Sequence, residues 1–118
     1  MVFDVEIVLR ERNYAVTERI EHGREPAAWA EADVETVLKQ ILLAIDRVKN
    51  RNAGNRHVAL RGFSWIVEPV EEEEQVVIAI EIPMGAAVAG PFAIDRSRLD
   101  EMIRRVIAAA ARPGPTIH

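Results

Sequence analysis

Gly85 and Gly90 are separated by four residues, between an apolar run and an amphipathic one. That is the glycine spacing of a loop whose backbone N–H groups cradle phosphates. Such a loop continues with Lys and Ser or Thr, which meet the phosphates and a magnesium ion, whereas Gly90 is followed by Pro91 and Phe92. Charge and metal ligand are both missing, so the stretch from Pro83 to Phe92 reads as a strand-to-helix connection. At most, backbone N–H groups at the start of the next helix would hold a small anion.

A second set of residues has the donors that phosphate or RNA recognition uses. Arg47, Lys49, Arg51, Arg56, His57 and Arg61 are interleaved with Asn50, Asn52 and Asn55. The same residues have a structural explanation: cations complement the dipole at a helix C-terminus, and Asn with Gly supplies a turn. No aromatic residue lies between Arg47 and Arg61 to stack on a base. The alternative reading is a small enzyme with a polar site near His57, Glu81 and the Gly85–Gly90 segment, in which Glu68 or Glu81 orients His57 as a base across a sheet. Ser64 and Ser97, the only serines, lie in no Gly-x-Ser-x-Gly elbow. The four consecutive glutamates Glu71 to Glu74 offer oxygen ligands for a hard cation, but consecutive side chains diverge and the spaced Asp/Asn/Gly pattern of a calcium loop is missing. With no Cys and three scattered His, neither a metal nor a cofactor is expected.

The chain behind these residues has 118 positions, one domain's worth, with 49% apolar and 29% charged residues. It contains neither an uninterrupted apolar run of about 18 residues nor a signal-like start, which points to a cytoplasmic protein and away from the membrane. The net charge is -4, and its distribution is banded. Residues 46 to 67 carry Arg47, Lys49, Arg51, Arg56 and Arg61 against Asp46 alone, whereas residues 68 to 82 hold six glutamates and no base. An acidic whole argues against a dedicated nucleic-acid binder, which needs a basic face to release counterions.

The positioning elements follow from periodicity. Phe3, Val5, Ile7 and Leu9 alternate with mostly polar residues, the period of a half-buried strand. Tyr14, Val16 and Ile20 continue as an edge strand, with Glu18 out of pattern on the inward side. From about Asp33 to Asn50, Val34, Leu38, Ile41, Ile45 and Val48 recur at helical steps, and Asp33 suits a cap. Residues 57 to 68 read as a strand that a bulge at Gly62 brings into phase. Glu71 to Glu74 form a hairpin tip, and Val76 to Ile82 form a strand apolar on both sides. A second helix starts near Asp95, with Ile94 and Leu99 as a hydrophobic staple, and stops at Pro113. The expected fold is therefore α+β: a two-layer sandwich of ββαββα order, with a four-stranded, mainly antiparallel sheet and two helices on one face. Residues 1–112 form a single domain and 113–118 a frayed tail.

Two helices cover one face of a sheet. The other face would carry Val8, Ile66, Val77 and Ala79, a contiguous apolar patch if the first, third and fourth strands are neighbours, and monomers seldom leave such patches wet. The expectation is a non-catalytic interaction or ligand-binding module that forms a homodimer through its sheet surface. Otherwise Pro83 to Phe92 or Gly23 to Ala32 folds back over that face.

Overall fold

Five strands, two α-helices and one short 3-10 turn appear in the computed structural model, which describes residues 1–50, 58–70 and 74–111. In chain order they are β1 (Val2–Leu9), β2 (Ala15–Glu21), the 3-10 turn (Pro26–Ala28), α1 (Glu31–Lys49), β3 (Ser64–Val70), β4 (Gln75–Ile82), β5 (Gly85–Phe92) and α2 (Arg96–Ala111). The fold is α+β, but the order is ββαβββα and the sheet has five strands instead of four. The additional strand is β5, in the segment expected to be a strand-to-helix connection. Its sequence, GAAVAGPF, is built from residues with low strand propensity.

All neighbouring strands are antiparallel, in the order β2-β1-β5-β4-β3. The strand expected to be a connection is therefore the centre of the sheet. Pro83 and Met84 form a two-residue turn between β4 and β5, with Ile82 opposite Gly85. On β5 the pairing slips: Ile78 faces Ala89 but Val76 faces Phe92, so one extra residue of β5 is accommodated at Gly90 and Pro91. Gly90 has φ +125, a conformation that glycine adopts without steric cost, and the Gly90–Pro91 peptide is cis. The slip turns Phe92 to the same side as Ala87 and Ala89. Gly62, expected to be a bulge within a strand, has φ +77 and stands before β3 begins. Val58 to Phe63 is irregular, although Leu60 is buried.

Alternation decides which face is buried. Phe3, Val5, Ile7 and Leu9 of β1, Ile20 of β2, Val67 of β3, Val76, Ile78 and Ile80 of β4, and Ala87, Ala89 and Phe92 of β5 form one buried cluster with the apolar stripes of both helices. Helix α1 lies against β1, β2 and β5, α2 lies against β3, and the helices touch each other. Ala87 and Ala89 are small where α1 lies over the central strand. Ile94 and Leu99 are both buried around the start of α2, and Asp95 caps it by accepting the Arg98 N–H at 3.0 Å. Tyr14, expected to face inward, lies outside β2 and is 57% exposed. The inward Glu18 is explained by Arg47 of α1, whose Nε donates to it at 3.2 Å.

Helix α1 begins two residues before Asp33. Asp33 reaches back: its Oδ2 accepts the Ala30 N–H at 2.9 Å, and its Oδ1 lies 3.0 Å from His22 Nε2 and 3.7 Å from Arg24 Nε. The Ala30 N–H holds the Asp33 carboxyl below its ordinary value against the opposing effect of desolvation, helped by His22 and Arg24. A carboxyl whose pKa is lower in the folded state stabilises the fold fully above its unfolded pKa of about 3.9. That contribution is lost as pH falls through the folded pKa. Asp33→Asn is therefore expected to cost about 1 kcal/mol at pH 7. In urea titrations at pH 7 and pH 3, the gap between wild type and variant should narrow at the lower pH. An unchanged gap would mean that the carboxylate charge contributes nothing.

Candidate interaction surface

The register that buries one face exposes a second set of side chains. One row across the sheet runs Ala15, Val8, Ala86, Glu81, Ser64, and the next runs Thr17, Glu6, Val88, Ala79, Ile66. Glu68 stands opposite Val77 in the row beyond. Val8, Ala86, Val88, Ala79, Ile66 and Val77 thus form an apolar band across β1, β5, β4 and β3. Val8, Ile66 and Val88 are 45%, 48% and 45% exposed, and Val77, Ala79 and Ala86 are partly exposed. The expected patch of Val8, Ile66, Val77 and Ala79 lies on this one face, but β1 and β4 are not neighbours, and β5 bridges them with Ala86 and Val88.

No described segment covers the band. The Pro83–Phe92 stretch is a strand of the sheet itself, and the residues after Gly23 close the opposite side. There Trp29 is fully buried, its ring centroid 5.0 Å from that of Phe92, which lies 5.0 Å from Phe3. Neither segment folds back over the open face.

The face has relief. Ala79 and Ala86 form the floor of a trough of about 270 Å³ whose lining also includes Ile66, Val88, Ser64 and Glu81. It continues past Val8, Gly85 and Arg10 as a second depression of about 250 Å³. Both lie below the roughly 300–1,000 Å³ of sites that enclose small molecules. Their shape suits side chains presented by a surface.

The charges on this face are mostly acidic. By the same alternation it carries Asp4, Glu6, Glu21, Glu68 and Glu81 against Arg10 and Arg19. Asp4 accepts from Arg19 Nε at 3.5 Å. Among the described residues Glu6, Glu68 and Glu81 make no ion pair.

Of the other candidate residues, Arg47, Lys49, Arg61, Gly85 and Gly90 are among the described ones. Gly85 and Gly90 are in β5, so the cradle between strand and helix does not form. A Cβ at Gly85 would collide with the Val8 carbonyl oxygen, which shows that this glycine serves strand approach. Arg51, Arg56 and His57 lie outside the described residues, as do Glu71 to Glu73 and the tail 113–118. Arg47 is held by Glu18. Lys49 and Arg61 line one shallow depression with Asp46 and Ile82. Among the described residues no group of three His, Asp or Glu could hold a metal ion, and no helix is long and apolar enough to cross a membrane.

Sequence reasoning missed Val88 and Ala86. The signal was present as the alternation of Ala87 and Ala89 with Val88, but glycines at both ends and Pro91 concealed it. No protein-family model, curated protein or solved structure matches the chain.

Proposed function

We propose that this chain is a non-catalytic interaction module whose working surface is the open face of its sheet. The observation that carries the reading is the apolar band from Val8 to Ile66, spread over four strands and left uncovered by the described residues. Apolar area removed from water contributes about 25 cal/mol per Å² before association costs, so a face of this kind favours being covered. Ile66→Glu combined with Val88→Glu tests it. Both positions are about half exposed, so the double variant should unfold at nearly the same urea concentration as wild type, within about 0.5 kcal/mol per site. Wild type is expected to bind a hydrophobic dye in its native state, and the double variant to lose that binding. A monomeric wild type that binds no dye would remove the reading.

Homodimerisation through this sheet surface is the second reading, and the relief favours it: ridges at Val8, Val88 and Ile66 beside a floor of alanines provide knobs and a receiving trough on one patch, as a two-fold contact needs. Light scattering should then give twice the chain mass of 13.2 kDa, reverting to the single mass in the double variant. Phosphate or RNA binding through 47–61 and a polar catalytic site near His57 and Glu81 have less support. Arg47 is engaged by Glu18, and the Gly85–Gly90 segment is strand.

A further inference from the structure

The carboxylates around the band select among its occupants. Glu6 stands beside Val88, Glu81 beside Ala86 and Glu68 beside Val77 in adjacent positions of the register, and among the described residues none is paired with a cation. Any surface laid on the band removes water from these three groups. Taking an unpaired carboxylate out of water costs several kcal/mol, and a cation placed against it offsets that cost. A second copy brings its own Glu6, Glu68 and Glu81 to the interface, with five acids against two bases on the face. Like charges would then be brought together across the contact.

The backbone of the occupant is constrained as well. A partner lying flat on the face of a sheet receives no backbone hydrogen bonds from it, because the N–H and C=O groups of β1, β5 and β4 are consumed by their neighbouring strands. An α-helix satisfies its backbone internally and needs only an apolar stripe, and its diameter of about 10 Å fits a band four strands wide. The opposite face of the same sheet already receives two helices in this way.

We infer that the open face binds an amphipathic helix of another chain that carries Lys or Arg along the edges of its apolar stripe. The helix seats its apolar side chains over the Ala79–Ala86 trough and places cations against Glu6, Glu68 and Glu81. This inference rests on the reading of the open face as the working surface and adds the chemistry of the partner.

Two synthetic 18-residue helical peptides test it, one with a leucine stripe edged by lysine and the other with the same stripe edged by glutamate. Each is titrated into the 15N-labelled full chain. The lysine peptide is expected to shift the amide signals of β1, β3, β4 and β5 around Val8, Ile66, Ala79 and Val88, and the glutamate peptide to shift none. The triple variant Glu6→Gln, Glu68→Gln and Glu81→Gln should bind the lysine peptide about tenfold more weakly, while Val88→Ser with Ile66→Ser should abolish the shifts with the remaining spectrum intact. Equal binding of both peptides, or shifts confined to other surfaces, would overturn the inference. A doubled mass with the open face protected would also overturn it, yet leave that face as the working surface. A monomer whose open face responds to neither peptide and binds no hydrophobic dye would remove both.

Discussion

Trp29→Ala is expected to destabilise the chain by about 3–5 kcal/mol, the range for truncating a fully buried large aromatic residue. The indole is 0% exposed and stands at the junction between β2 and α1, where the chain has little regular structure to hold it. Its ring lies against Phe92, tilted by 58° at 5.0 Å, and Phe92 in turn meets Phe3 edge-on. Its Nε1 donates to the Arg24 carbonyl at 3.0 Å, which closes the turn upon itself. The Trp29 carbonyl accepts from Arg98 Nη2 at 2.7 Å, which ties the start of α2 to the same junction. Alanine would leave a void bounded by the sheet and the turn, and the Arg24 carbonyl would lose its donor. Domains of this size are stable by only about 5–15 kcal/mol, so a substantial fraction of the variant would unfold near physiological temperature. Denaturant titration followed by circular dichroism measures the loss. A midpoint within error of wild type would show that the aromatic cluster is not part of the cooperative core.

Gly85→Ala should cost about 3 kcal/mol, the upper end for overpacking, because the obstacle is backbone. A Cβ there meets the Val8 carbonyl oxygen and lies 3.0 Å from Leu9 Cα, at a pair in the β1–β5 ladder. A side chain can rotate away, but a carbonyl inside a ladder moves only with its strand. Gly23→Ala provides the comparison, since nothing lies within 4 Å of its added Cβ. That change should be neutral or stabilise by a few tenths of a kcal/mol. The pair of variants also separates two roles for Gly85. A glycine kept for phosphate binding would tolerate alanine without loss of stability, whereas one kept for close strand approach would not. Equal midpoints for Gly85→Ala and wild type would refute the packing account.

How legible the molecule was in its sequence depended on whether a segment's pattern came from its own burial or from its neighbours. The alternation of Phe3, Val5, Ile7 and Leu9 and the helical steps from Val34 to Val48 arise because each element has one buried side, so they could be read directly. Two apparent irregularities had distant causes. Glu18 on the inward side of β2 is matched by Arg47 of α1, 29 residues on. Asp33 suits a helix start by its type, but the group it binds, the Ala30 N–H, lies before the helix instead of within it.

Residues 83–92 show the opposite case. Glycine, alanine and proline carry weak local preference for strand, and the smallness of the glycines and alanines is what lets β5 lie between β1 and β4 beneath α1. Local propensity therefore pointed to a connection while tertiary packing required a central strand. The surplus of apolar surface at Val8, Ile66, Val77 and Ala79 was visible in the sequence, since a strand apolar on both sides puts apolar side chains on both faces of the sheet. Its extent was not, because Val88 and Ala86 join it only through the pairing of β5 with both neighbours.

The amino-acid order alone determined the elements with one-sided burial, the α+β class and the existence of an apolar excess on the sheet, because periodicity is a local property of the chain. The tertiary structure decided the fifth strand, an open face that no other described residue covers, and the acidic groups set beside its apolar band. Those depend on which strands lie side by side, and strand pairing is set by contacts between residues far apart in the chain.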